Sequence, residues 1–535
     1  MTRNKDYPLY ELEEYESLSQ MVCEKARTCP DKIAFQFMRG KNIQSITYRK
    51  YLEDIVVTGK YLSKRYDRQT HIGILGENSY QWLVVFMAAV MSGNVAVPLD
   101  KELDAAGIQD LLTRSDSEIC VYSDSYSDIA RELAGNSPVE FLSMNVLTQT
   151  LNVRDVDFKI LDEWRTFSKK DIAAIFYTSG TSGKSKGVML SQENIIEDIN
   201  SGCKNFCLDG NTLVVLPFHH AFGLLTAVFA SFNFEHTIFI NSSLKNVNRD
   251  MLIGKPKMIM MVPLFVETFH KTIWRTAKTQ GKERKLRFGM TLSGALLHLG
   301  IDIRKYLFRS ILEGFGGELK YIVCGGAALQ KKYIREFRSF GIEILNAYGI
   351  TECSPGVTLS RNHYHKDNRV GPVIKGCEVR IKADTDNSRC GEIQVRGKNV
   401  MLGYYRDEQA TKAAFDDGWF KTGDLGYIDK DGFLSVAGRI KNLIILSNGE
   451  NVSPEELENL LLDHELVKEV LVYAENEAIT AEIFPNSEAG FEDLQKQLQD
   501  IVDVCNRKLP AYKRIQRLKI RQTEFPKTTT QKIKR

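Results

Sequence analysis

Eleven residues, Tyr177 to Gly187, read Y-T-S-G-T-S-G-K-S-K-G and follow a run of β character from Ala173 to Phe176. Gly180, Gly183 and Gly187 allow positive φ and close approach of the backbone to a ligand. Thr178, Ser179, Thr181, Ser182 and Ser185 bring hydroxyls, and Lys184 and Lys186 bring positive charge. Such a loop can wrap a polyphosphate with N–H groups and hydroxyls. It is not a Walker A loop, which needs Gly five positions before the Gly of its Gly-Lys pair; Thr178 stands there instead. A polar surface loop is the bland alternative. The concentration of glycines, hydroxyls and lysines directly after a strand favours the phosphate reading.

Further motifs follow at a distance. They are LPFHHAFG (216–223, with His220), CGGAAL (324–329, with Gly325, Gly326 and Ala327), NAYGITE (346–352), WFKTGD (419–424), GRIK (438–441) and FPKTTTQKIKR (525–535). Together with the loop, and in this order, they resemble the signature of the adenylate-forming superfamily: acyl-CoA synthetases, luciferases and the adenylation domains of peptide synthetases. The resemblance runs from about residue 20 to residue 535.

The resemblance implies attack of a carboxylate on the ATP α-phosphate with pyrophosphate leaving, then transfer of the acyl group to the CoA thiol. The cofactors are ATP, Mg²⁺ and CoA. Negative charge must be neutralised at nucleophile and leaving group, so positioning and electrostatics carry the catalysis. Lys186 and the loop hydroxyls suit the β/γ-phosphates. Mg²⁺ takes few carboxylates plus phosphate oxygens, and Glu352 is its implied carboxylate, with Thr178 adding a hydroxyl. The adenine side is implied at Gly325, Gly326, Ala327, Asn346, Tyr348, Gly349 and Thr351. Asp424 accepts from the ribose hydroxyls, and Arg439 donates to the same sugar. Read alone, Glu352 is a solvated turn residue, Asp424 a turn or cap residue and Tyr348 a core tyrosine; only the motifs raise them. Lys532 carries the first step, reaching the carboxylate and α-phosphate oxygens. The family usually has Gly before this lysine, where this chain has Gln531. Lys441 sits at the hinge about which the small domain swings. CoA leaves no sharp motif; the SNGEN turn (447–451) lies where the family passes the pantetheine arm.

The acid itself is read from two stretches. Amino-acid-activating members place an Asp near the second motif, and no acid occurs here from Leu213 to Asn233. A substrate ammonium would be unpaired there, which is costly when buried. Leu224, Leu225, Val228 and Phe229 offer apolar surface to an acyl chain or to the core, and His220 gates the acyl pocket or is a satisfied core histidine. The block from MVPLFVETFHKTIW through the basic Lys278–Arg287 stretch to CGGAAL is similar to long-chain fatty acyl-CoA synthetases. A medium- to long-chain fatty acid, or another carboxylic acid, is the expected substrate. Two alternatives stay open: loading of a separate carrier-protein phosphopantetheine, and a non-catalytic nucleotide-binding protein.

The elements that must position these residues read as α/β. Short apolar runs such as IGILGENS (72–79), EICVYSD (118–124), NTLVVLPF (211–218) and LKYIVCGG (319–326) alternate with helical patterns, as in largely parallel sheets. Around 376–396 short strands with turns between them suggest a barrel-like unit. After Lys441, SPEELENLLLD opens with a capping box in which Ser453 and Glu456 exchange hydrogen bonds and Pro454 takes the first helical position. The expected layout is a large domain of layered, mostly parallel sheets with helices over 1–440, including a β-barrel-like subdomain at about 365–438. A mobile α+β domain over 441–535 carries the catalytic lysine. Residues 507–535 hold eleven Lys or Arg against one acid, Glu524, which is a solvated basic tail or a segment that meets phosphates.

Composition excludes other classes. The chain has 535 residues, 43% hydrophobic and 26% charged, with a formal charge of +3, too balanced for a nucleic-acid coat. The stretch Trp82–Val97 is broken by Ser92, Gly93 and Asn94, which favours a buried helix followed by a core strand over a membrane span. At most peripheral membrane contact is expected. The start lacks an apolar signal region, and the ten cysteines show no metal or disulfide spacing, so free thiols in the cytoplasm are expected. Lys532→Ala should abolish acyl-adenylate formation yet leave thioester formation from supplied acyl-AMP, measured by pyrophosphate release and by mass; loss of both steps would overturn this role.

Overall fold

The computed structural model describes residues 8–135, 137–149, 156–178, 185–207, 210–383, 390–446, 451–464, 466–476, 478–486, 491–527 and 533. A seven-stranded sheet runs in the order Gly403–Tyr404, Lys186–Ser191, Ile172–Thr178, Val95–Pro98, His71–Leu75, Ser117–Tyr122, Glu140–Ser143. Its middle pairs are parallel, as the strand–helix alternation requires. An eight-stranded sheet runs Gly356–Leu359, Glu343–Gly349, Tyr321–Cys324, Met258–Met261, Thr212–Val214, Ile238–Ile240, Ile33–Arg39, Asn42–Thr47, again parallel through its centre. A five-stranded sheet follows the path Cys377–Lys382, Gly391–Gly397, Trp419–Ile428, Phe415–Asp416, with Leu434–Arg439 beside Trp419–Ile428, and supplies the barrel-like part. The α/β class and its three parts are as the sequence indicated.

The chain divides into two compact units, residues 1–378 with 395–420, and 379–394 with 421–535. The first has separate apolar cores on its two large sheets. One gathers Leu213, Ile259, Ile322, Ile344 and Phe337, the other Leu75, Val97, Leu112, Cys120 and Ile175. Burial of such side chains is the main stabilising term. The Trp82–Val97 stretch resolves into the helix Tyr80–Met91, buried at every position but Gln81, and the strand Val95–Pro98. Twelve residues cannot span a bilayer, and among the described residues no helix is long and apolar enough to do so. All ten cysteines are free thiols.

The second unit packs the helices Pro454–Leu462 and Phe491–Asn506 on a sheet ordered Val467–Glu475, Ala478–Pro485, Arg517–Ile520. Pro454 opens its helix as expected, but the capping box does not form. The Ser453 hydroxyl donates instead to the Ala437 carbonyl (2.9 Å) and the Glu455 carboxylate (3.0 Å), and Glu456 pairs with Lys513 at 2.7 Å. Tertiary partners thus outcompete the local bond. Several bases of the described part of the C-terminal stretch are paired within this unit: Lys519 meets Glu475 (2.6 Å), Arg521 meets Glu482 (2.8 Å) and Lys527 meets Glu469 (2.6 Å).

One glycine governs the turn that carries Glu352. A Cβ at Gly349 would lie 2.0 Å from the Pro355 carbonyl oxygen, because Ile350 N–H donates to that oxygen at 2.8 Å and folds the loop back on itself. Gly294, in the helix Glu283–His298, has nothing within 4 Å. Gly349→Ala should therefore destabilise the protein by about 2 kcal/mol or more. Gly294→Ala should stabilise it by roughly 0.5–1 kcal/mol through helix propensity. Thermal unfolding of the two variants checks the opposite signs.

Candidate functional site

The strand Ile172–Thr178 turns back into Lys186–Ser191, so Thr178 and Lys186 face each other in register. Ser179, Gly180, Thr181, Ser182, Gly183 and Lys184 lie outside the described residues. The start of the second strand is anchored by Arg114, which donates to the Ser185 hydroxyl (3.2 Å) and carbonyl.

Lys186 points to a residue the motifs did not flag. Its Nζ lies 4.7 Å from the ring centroid of Tyr404, and the Tyr404 hydroxyl donates to Glu352 Oε1 at 2.9 Å. The short strand Gly403–Tyr404 pairs antiparallel with Lys186–Ser191, and Tyr405 N–H donates to Gly187 O at 2.8 Å. Met401 N–H donates to the Glu352 carbonyl at 2.9 Å. One segment thus holds both sides of the array. Burial, with the Glu352 carboxylate beside it, pushes the Tyr404 phenol up, so it remains a proton donor. The sequence signal was available in LGYY, a Gly and two tyrosines, but a tyrosine there has no spacing that separates a site residue from a core residue.

Glu352 sits in the single turn Thr351–Cys353, partly exposed, with Thr351 beside it. Among the described residues no cluster of three or more His, Cys, Asp or Glu could hold a metal. A lone carboxylate fits Mg²⁺, which keeps phosphate and water oxygens for most of its ligands.

Behind this turn lies a partly open cavity of about 100 Å³. Gly325, Gly326, Tyr348 and Gly349 line its edge. Its walls are mostly apolar and include Ile199, Phe206, Met260 and Leu359. The nine-residue π-helix Phe222–Ala230 turns Phe222, Thr226 and Ala230 toward the cavity, while Leu224, Leu225, Val228 and Phe229 are fully buried in the core. Asp198, from the helix Gln192–Asn205, also lines it and is 5% exposed. No acid occurs between Leu213 and Asn233; this one comes from the preceding helix.

His220 precedes the π-helix, accepts from Leu224 N–H at 3.0 Å and is not part of the cavity lining. Its ring lies 4.3 Å from that of His219, whose Nε2 is 3.2 Å from Asp100. Burial, with His220 adding to it, holds His219 well below the usual histidine range, so it is neutral. Asn346 donates to Arg369 O at 3.1 Å, and Ala327 is exposed just beyond Gly326, whose φ is +85°.

In the second unit Asp424 and Arg439 are cross-strand partners joined by an ion pair of 2.8 Å. Asp424 is buried, and its N–H donates to the Thr422 hydroxyl at 3.0 Å. Lys441 is exposed in the turn Ile440–Asn442 that follows. Residues 447–450 and Lys532 lie outside the described residues.

Residues 22–405 match the family model described as AMP-binding enzyme, and 441–535 match the AMP-binding enzyme C-terminal domain. The long-chain-fatty-acid–CoA ligase FadD15 of Mycobacterium bovis is 29% identical over 510 residues, covering 90% of this chain and 83% of that protein. The 2-succinylbenzoate–CoA ligase of Bacillus cereus is 28% identical over 515 residues, covering 93% of each. Among solved structures, the o-succinylbenzoate CoA synthetase of Bacillus subtilis in complex with ATP and magnesium superposes with a TM-score of 0.74 at 23% identity, covering 96% of this chain and 98% of that one. Tyr404→Phe keeps the ring under Lys186 and removes the donor to Glu352. It should lower ATP–pyrophosphate exchange by about 10- to 100-fold, with a raised Mg²⁺ requirement and unchanged thermal stability.

Proposed function

The chain belongs to the AMP-binding enzyme family, and from that premise we propose that this adenylate-forming acid–CoA ligase activates a medium- to long-chain fatty acid. The observation that carries the reading is the array of Lys186, Tyr404 and Glu352, together with a mostly apolar cavity lined by Gly349, Pro355 and Gly356 from the two ends of the loop that bears Glu352. ATP, Mg²⁺ and CoA are the cofactors. An aryl acid such as the one named for the Bacillus cereus relative would use the same chemistry, and the block after residue 262 favours an aliphatic chain.

In this reading the substrate carboxylate oxygen attacks the α-phosphorus, the bond to the bridging oxygen breaks and pyrophosphate leaves. Lys186 neutralises the β/γ-phosphates, with the hydroxyl of Thr178 opposite it. Glu352, with Thr178, would hold Mg²⁺, which supplies further neutralisation of phosphate charge when bound. Tyr404 fixes the Glu352 carboxylate and leaves its second oxygen for the metal. Asp424 accepts from the ribose hydroxyls, and its pair with Arg439 keeps it oriented. Lys532 stabilises the α-phosphate oxygens in the transition state. A change of φ/ψ at Lys441 then re-presents the small domain for the second step. The CoA thiol attacks the acyl carbonyl, and AMP departs as the leaving group.

The test is purified protein with ATP, Mg²⁺ and straight-chain acids from acetate to oleate, each with and without CoA. Pyrophosphate release that rises with chain length, with thioester formed only when CoA is present, is the expected result. Acyl-AMP that accumulates beside CoA would make a carrier-protein phosphopantetheine the acceptor. No pyrophosphate from any acid would favour a protein that binds nucleotide without catalysis.

A further inference from the structure

The cavity wall contains an acid that neither the phosphate array nor the fold fully employs. Asp198 is 5% exposed and lines the cavity. Its Oδ1 accepts from Gly356 N–H at 2.9 Å. Among the described residues Oδ2 has no hydrogen-bond partner. The wall around it includes Ile199, Phe206 and Leu359, and the hydroxyl of Thr358, also in the wall, is committed to Val370 O at 2.7 Å. A plain alkyl tail lying here would cover Oδ2 and offer it nothing, and a buried polar atom left without a partner is destabilising.

We propose that Asp198 determines acyl specificity by hydrogen-bonding a hydroxyl on the tail of the substrate, so that the preferred acid is a hydroxylated one. This rests on the acid–CoA ligase reading and names the substrate class within it. Burial, with Glu197 adding to it, holds the Asp198 carboxyl well above the usual carboxylate range, against the Gly356 hydrogen bond that favours its charged form. The second oxygen, without a partner among the described residues, is thereby biased toward the protonated form, which donates as well as accepts, and a hydroxyl answers both roles. A second carboxylate on the tail would bring another anion toward Glu197. An ammonium would first have to draw off the proton. The bond from Gly356 is a separate, structural task that needs only an acceptor at Oδ1, which an asparagine also supplies.

Octanoate, decanoate and dodecanoate are each compared with the ω-hydroxy derivative, and phenylpropanoate with its para-hydroxy derivative, by kcat/KM in the wild-type enzyme, Asp198→Asn and Asp198→Ala. In wild type at least one hydroxylated member should exceed its plain partner by roughly tenfold or more, since a site built to bond a hydroxyl discriminates against its absence. Asp198→Asn should keep most of that ratio, because it retains both the acceptor for Gly356 and a polar group toward the tail. Asp198→Ala should bring the ratio to near one or invert it. A merely structural role would lower both members of a pair together, and a ratio that is the same in wild type and Asp198→Ala overturns the proposal alone. A wild-type preference for every plain member does the same. Turnover of none of the eight acids by wild type overturns this proposal, and the ligase reading falls with it only when the acetate-to-oleate series releases no pyrophosphate either.

Discussion

A lysine proposed for phosphates and a carboxylate proposed for a cation attract each other, and a direct ion pair would neutralise both. Tyr404 stands between them. Its ring takes the Lys186 ammonium at 4.7 Å without a counter-charge, and its hydroxyl takes one oxygen of Glu352 at 2.9 Å. Both charged groups stay oriented, and both stay available. The backbone makes this possible by pairing Gly403–Tyr404 with the strand that begins at Lys186, and by giving Met401 N–H to the Glu352 carbonyl. Three segments distant in sequence are thereby held at one point with few mobile parts, which is what electrostatic catalysis requires.

Much of the fold was legible because its signals are periodic and local. Apolar runs alternating with helical patterns marked the parallel sheets, and Ser92, Gly93 and Asn94 marked the end of a buried helix. The glycines, hydroxyls and lysines of the 177–187 loop carried their own chemical meaning, and Asp424 and Arg439, flagged from separate motifs, are ion-paired across two strands. What was not legible depended on tertiary neighbours. Ser453 has the spacing of a capping box, yet its hydroxyl goes to Ala437, which no local pattern encodes. Tyr404 becomes a site residue only because its strand lies on the edge next to Lys186. Asp198, in the sequence IIEDIN, reads as one more helix carboxylate beside Glu197; that it is buried, and its neighbour only partly so, depends on which helix face meets the 356 backbone.

That same backbone joins the two halves of the chemistry. The loop from Gly349 to Gly356 carries Glu352, and it is fixed at both ends by contacts of different kinds. At one end the bare Cα of Gly349 lets the chain close on Pro355, with Ile350 N–H bonded to the Pro355 carbonyl. At the other, Gly356 N–H is held by Asp198, and a Cβ at Gly356 would lie 2.4 Å from Asp198 Oδ1. Glu352, the proposed metal carboxylate, and Asp198, the proposed contact to the acyl tail, are therefore tied to one short stretch of chain. An interior packed to near-crystalline density transmits small displacements rather than absorbing them. On the proposed roles, a tail that draws on Asp198 Oδ2 would bear, through Oδ1 and Gly356, on the loop that carries Glu352, and fit in the cavity would be coupled to the phosphate site through the same few atoms.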